Sequence, residues 1–195
     1  MRRTAILLPL ALAGAACGND AIDPVTGGEG SGATGFAVLL TDHPGEGATP
    51  MGGELEGSIR VSLRNDADAL VELGIDQDVL LELQQGSDSL ELGDVTRPPT
   101  GTYVAVQIRF EGADATVFSG SVVGDTTLTN DAVLVLGTGG LATVEIAALP
   151  FDVDSESELD LVLDLNSELW ITRDNIAAGT VSQADLTNSV TLAIP

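Results

Sequence analysis

One cysteine, Cys17, and one histidine, His43, limit the nucleophilic and metal chemistry open to this 195-residue chain. A zinc site needs several His or Cys ligands, so zinc is excluded. A Ser-His-Asp triad would have to use His43, which sits in the turn Thr41-Asp42-His43-Pro44, and the chain has no Gly-x-Ser-x-Gly elbow. Lysine is absent, which removes Schiff-base chemistry and the glycine-loop-Lys phosphate motif. Carboxylates are abundant. Asp152, Asp154, Glu156, Glu158 and Asp160 recur at every second position, so an extended chain would turn all five to one side. Clustered oxygen ligands are what calcium requires, although the central glycine of an EF-hand is missing here. The simpler reading is a solvated connection whose charges protect a neighbouring strand edge. Acid pairs of the kind a glycosidase uses arise easily among 30 Asp plus Glu, so a hydrolase with an acidic site is the weakest expectation. Two aromatic residues are candidate stacking faces for a sugar or a partner. On a regular strand Trp170 faces away from Leu169 and Ile171, unless a bulge at Asn166-Ser167 turns it inward. Tyr103 begins a strand after Pro98-Pro99, where such a ring usually folds over a corner and bonds backbone.

Cys17 has a different context. Arg2 and Arg3 precede an apolar stretch, Ile6 to Ala16, that ends in Leu12-Ala-Gly-Ala-Ala-Cys17. The stretch is too short for a membrane span, which needs about 20 apolar residues. An ordinary secretory signal also ends in small residues, but a solitary cysteine at this point resembles the bacterial lipoprotein signal. That resemblance implies removal of residues 1–16 and acylation of Cys17. Gly14 stands three positions before the cysteine where the usual pattern has Leu. Gly18, rather than Asp, behind the cysteine is similar to the signal for outer-membrane sorting. Residues 18–35 are rich in Gly and small polar side chains and read as a flexible tether. The sequence thus predicts an exported protein held on a membrane by its lipid, with one folded domain over residues 36–195.

The formal net charge is −23, from seven arginines and 30 acids, and loss of Arg2 and Arg3 makes it more negative. Nucleic acid and anionic lipid headgroups are therefore excluded as partners. A 44% hydrophobic content in short periodic runs argues against disorder. Those runs have period two. Leu55, Ile59, Val61 and Leu63 alternate with Ser58, Arg60, Ser62 and Arg64, and Val104, Val106, Ile108 and Phe110 alternate with Ala105, Gln107 and Arg109. Further strands are expected at 36–41, 69–73, 79–83, 116–123, 132–136, 142–147, 159–165, 169–172 and 189–194. Helical turns fit only 84–92 and 184–186. Turn residues fill nearly every gap, so the expected fold is all-β, an antiparallel β-sandwich with short helical turns at most.

The order of landmarks resembles a known family. Val38-Leu-Leu-Thr-Asp-His-Pro44, Leu81-Glu-Leu-Gln-Gln-Gly-Ser-Asp-Ser-Leu90, Pro98-Pro-Thr-Gly-Thr-Tyr103 and Leu161-Val-Leu-Asp-Leu165 are similar to the motifs of an uncharacterised family of secreted bacterial lipoproteins, domain of unknown function 4382. The resemblance spans roughly residues 36–170. It implies a prealbumin-like or immunoglobulin-like sandwich on an exported chain and brings no catalytic residue. The expected function is a non-catalytic binding or structural module of the cell envelope, with a glycan or protein partner. The alternative is a calcium-dependent or carbohydrate-binding adhesive module.

Overall fold

Alternation of apolar and polar side chains suits a strand with one buried face, and this chain follows that rule through most of its length. The computed structural model describes residues 35–43, 51–83, 89–93, 95–156 and 158–195, so Cys17, its leader and the tether lie outside the described residues. The strands are β1 (Phe36–Thr41), β2 (Gly53–Asn65), β3 (Leu70–Leu83), β4 (Leu90–Glu91), β5 (Gly101–Val117), β6 (Val122–Val123), β7 (Thr126–Thr127), β8 (Ala132–Leu136), β9 (Ala142–Val153) and β10 (Leu159–Asp164). Short elements finish the chain: α1 (Ser167–Trp170), α2 (Arg173–Ala178), β11 (Thr180–Val181), α3 (Gln183–Ser189) and β12 (Thr191–Ala193).

Two sheets form an all-β sandwich. One has the order β12-β10-β1-β4; the other runs β11-β8-β5-β2-β3, with β9 also paired to β5, and β6–β7 is a separate hairpin. Val38, Leu40, Leu161 and Leu163 of the smaller sheet share one core with Ile59, Val61, Ile108 and Phe110 of the larger, all fully buried. Burying each such side chain contributes about 1.5–3 kcal/mol. Most pairings are antiparallel, but β1 runs parallel to β10 and β11 parallel to β8. The first of these places a strand from the start of the domain beside one from its last third.

Several local expectations change. The runs 69–73 and 79–83 are one strand, because Gly74 at φ 73° passes a bulge between the Ser62–Glu72 and Arg60–Asp76 pairs. Val104 does not share the face of Val106, Ile108 and Phe110. The register with β9 shifts between Tyr103 and Ala105, so Tyr103, Ala105 and Val106 are buried while Val104 is partly exposed. Residues 169–172 are not a strand, since they span the end of α1 and the cap of α2. The helical turn expected near 184–186 is α3, closed by a capping box between Ser182 and Asp185. Of the segment 84–92, residues 84–88 lie outside the described residues and Leu90–Glu91 is β4.

Ion pairs cross the outer face of the larger sheet. Arg64 of β2 reaches over β5 to Glu145 of β9 at 2.6 Å, and Gln107 of β5 donates to the same carboxylate at 3.2 Å. The hydrogen bonds from Arg64 hold Glu145 below the usual carboxylate range, and those from Arg60 do the same to Asp76. A carboxylate with a depressed folded pKa contributes stability above its unfolded pKa, and that stability is lost as pH falls through the folded value. Arg64→Gln should therefore lower Tm at neutral pH by up to about 3 °C. Thermal scans should show the difference from the parent shrinking toward zero as pH falls through and below the ordinary carboxylate range.

Candidate functional site

The polar residues of the Thr-Asp-His turn lie where β1 and β10 end side by side. Asp42 is 2% exposed and Ser167 is fully buried. The Ser167 backbone N–H donates to Asp42 Oδ1 at 2.7 Å, and the Ser167 hydroxyl donates to Oδ2 at 2.5 Å. Asn166 holds the N-cap position of α1 in a left-handed conformation (φ 46°), and its side chain makes no cap hydrogen bond. Asp42 thus caps the helix from 125 residues away, satisfying a first-turn donor that would otherwise be orphaned.

His43 is placed by the neighbouring carboxylate. Its backbone N–H donates to Asp164 Oδ1 at 3.2 Å, while its ring Nδ1 lies 3.4 Å from Asp164 Oδ2 and 3.0 Å from Thr41 Oγ1. Serine, histidine and aspartate therefore meet at one corner of the fold, but their connections are not those of a nucleophile. A triad needs the hydroxyl bonded to the imidazole, whereas the Ser167 proton goes to Asp42 in a site closed to solvent.

Neither proposed stacking residue offers a face. Trp170 is fully buried, and its indole N–H donates to the Leu165 carbonyl at 3.1 Å. The ring turns inward, as the alternative at Asn166-Ser167 has it, but through α1 in place of a bulged strand, so the stacking role falls away. Tyr103 is 2% exposed. Its hydroxyl donates to the Pro99 carbonyl at 2.7 Å and its ring stacks on Phe151 with centroids 5.9 Å apart. Burial pushes its phenol pKa up. It forms a tyrosine corner, and a ligand cannot reach it.

The acidic run is also redistributed. Asp152 ends β9 and its Oδ1 accepts from the Thr102 hydroxyl at 2.6 Å, Asp154 Oδ1 accepts from the Glu156 N–H at 2.9 Å, and Asp160 belongs to β10. Asp154, Glu156 and Glu158 lie on the connection between those strands. Arg97 fixes one side of it by donating to the Asp154 carbonyl from Nε at 3.1 Å. The chain turns within this segment, so the five carboxylates do not share one side. Among the described residues no three His, Cys, Asp or Glu side chains are grouped to hold a metal ion.

A concave surface lies elsewhere, on the outer face of β3, β2 and β5. At Gly112-Ala113, β5 has extra residues opposite Gly57 of β2, and the register shifts between Glu56 and Ser58. A Cβ on Gly57 would stand 2.6 Å from the Cα and Cβ of Ala113, so only glycine permits this approach. Beside this close approach lies a hollow of about 730 Å³, lined by Glu54, Glu56, Asp78, Leu80, Glu111 and Asp114 among others. Glu111 is neutralised by Arg109 at 2.8 Å and Arg60 at 3.5 Å. Among the described residues no cation pairs with Glu54, Glu56, Asp78 or Asp114. The hollow is thus acidic, open and fitted to positive charge. It was not among the sequence candidates; a glycine directly after a glutamate inside a strand pattern, as in Glu56-Gly57 and Glu111-Gly112, is the signal that marks it.

No family model matches this chain, and no curated protein or solved structure matches it. Substitution of Asp42 tests the corner. Asp42→Ala should cost about 3 kcal/mol, because it leaves two buried donors unpaired, and should lower Tm by about 10 °C. Asp42→Asn should cost only about 1 kcal/mol, since the amide oxygen still accepts from the Ser167 N–H and the hydroxyl can rotate to accept from the amide. Calorimetric melting of both variants checks this order.

Proposed function

We propose that this chain is an exported lipoprotein, anchored through an acylated Cys17, whose β-sandwich is a non-catalytic binding or structural module at the cell envelope. The observation that carries the reading is the lone thiol at the end of a short apolar leader, ahead of a glycine-rich stretch and a strand-built domain. The resemblance to the secreted lipoprotein family points the same way. The internal use of Asp42, Ser167 and Asp164 supports the non-catalytic part, because groups of the types a triad uses act instead as a cap and a turn clamp.

The calcium and carbohydrate alternatives have less support. Sugar recognition on a flat face commonly relies on exposed aromatic rings, and Trp170 and Tyr103 are both interior. The candidate calcium ligands are spread around the β9–β10 connection.

The anchor is tested by mass spectrometry of the N-terminal peptide from membranes of an expressing bacterium. The expected result is a chain beginning at Cys17 and carrying a diacylglycerol with a further acyl chain, with Cys17→Ser released from the membrane fraction. A secreted chain with an unmodified thiol at Cys17 would overturn the reading.

A further inference from the structure

We propose that residues 78–83 of β3 form a docking edge for an extended basic segment of another protein, which adds to the larger sheet as a further strand. The proposal deepens the binding reading above and rests on it.

β3 is the outermost strand of its sheet. Gly93 and Thr96 form a strap along its first half, where Thr96 N–H donates to the Leu73 carbonyl at 2.6 Å and Gly93 N–H donates to Gln77 Oε1 at 2.8 Å. Beyond that strap, among the described residues, no strand or backbone group pairs with the outer side of residues 78–83. This stretch stays in unbroken register with Gly53–Ser58, and its inward side chains Val79, Leu81 and Leu83 hold it against the core. It is therefore a rigid template whose alternate N–H and C=O groups face away from β2, the geometry that strand addition uses.

Charge decides the occupant. The outward side chains are Asp78, Leu80 and Glu82, with Leu80 62% exposed between two carboxylates. Glu54 pairs directly with Glu82 across β2 and β3, and Glu56 with Asp114 across β2 and β5. Like charges directly opposed across a ladder are destabilising, and here the fold keeps two such pairs side by side. A second copy on this edge would add carboxylates to carboxylates, and a chain of net charge −23 without lysine has little to offset them. The partner that fits carries Lys or Arg at two positions four apart and an apolar side chain midway, all on one face. The apolar residue covers Leu80, the cations face Asp78 and Glu82, and their long stems extend over the hollow toward Glu54 and Glu56.

The test uses the full mature chain in detergent with synthetic peptides. One alternates Thr with Lys-Val-Lys on a single face; a second has Glu for Lys; a third has the same composition as the first with its lysines divided between the two faces. Calorimetry should give binding for the first only, at least about tenfold tighter than for the third. Amide exchange should slow at residues 78–83 in the complex. The variant Asp78→Lys with Glu82→Lys, its fold checked by circular dichroism, should reverse the preference toward the glutamate peptide. Leu80→Thr, which leaves the charges in place, should weaken the first peptide severalfold. Equal affinity for the first and third peptides, or binding without protection of residues 78–83, would reduce the effect to diffuse attraction and overturn the proposal, as would no binding. None of those outcomes bears on the N-terminal mass of the anchored chain, so the two readings fail separately.

Discussion

The buried carboxylate of Asp42 joins the beginning of the domain to its last third, and the arrangement of the smaller sheet depends on that join. β1 and β10 run parallel, so no tight turn links them, and the chain passes through every strand of the larger sheet but β11 between them. With one cysteine in the sequence, an internal disulfide is impossible. Packing of Val38, Leu40, Leu161 and Leu163 supplies non-directional attraction, and Asp42 supplies the direction. Its two oxygens fix where α1 starts. α1 in turn buries Trp170, and Asn166 beside it donates to the Ser189 carbonyl at 2.8 Å, tying the end of α3 to the same corner. A buried polar group is tolerated only where it is hydrogen-bonded, so the join is specific as well as strong.

The division between inner and outer chemistry follows from this economy of polar groups. Inside, Thr41, Asp42 and Ser167 are enclosed at one corner and Tyr103 closes another. Outside, arginines bridge strands of the larger sheet, while the hollow at Gly57 and Gly112 keeps carboxylates that no described cation neutralises. High negative charge in general favours solubility and self-repulsion. Here part of it is concentrated on one concave face beside a strand edge that no described residue pairs with, and that location gives it a meaning that composition alone does not.

Much of the fold was legible in the sequence because period-two alternation reports burial directly. β8 coincides with its expected bounds, and in β2 Ile59, Val61 and Leu63 are buried against the less buried Arg60 and Arg64, with Ser62 buried as well. Alternation is blind to bulges, which is why it puts Val104 on the wrong face and divides β3 into two strands. It is equally blind to a tertiary hydrogen bond that starts a four-residue helix at Ser167 in a segment of strand-like composition. The site was less legible than the fold. Spacing in Asp152–Asp160 suggests a row of carboxylates only if the chain stays extended, and instead it turns. The hollow joins residues from three strands that no local pattern connects. Asp42 was visible as part of a motif, but its partner lies too far along the chain for any local pattern to show.

Amide hydrogen exchange of the Ser167 N–H in the native protein tests the role of Asp42 most directly. That amide lies in the first turn of a short helix, where exchange is ordinarily fast. If Asp42 ties the fold together, it exchanges only through global opening, at the rate of the Val38 and Leu161 amides in the parallel pair. Exchange as fast as in an exposed turn, with those strand amides still protected, would contradict the account.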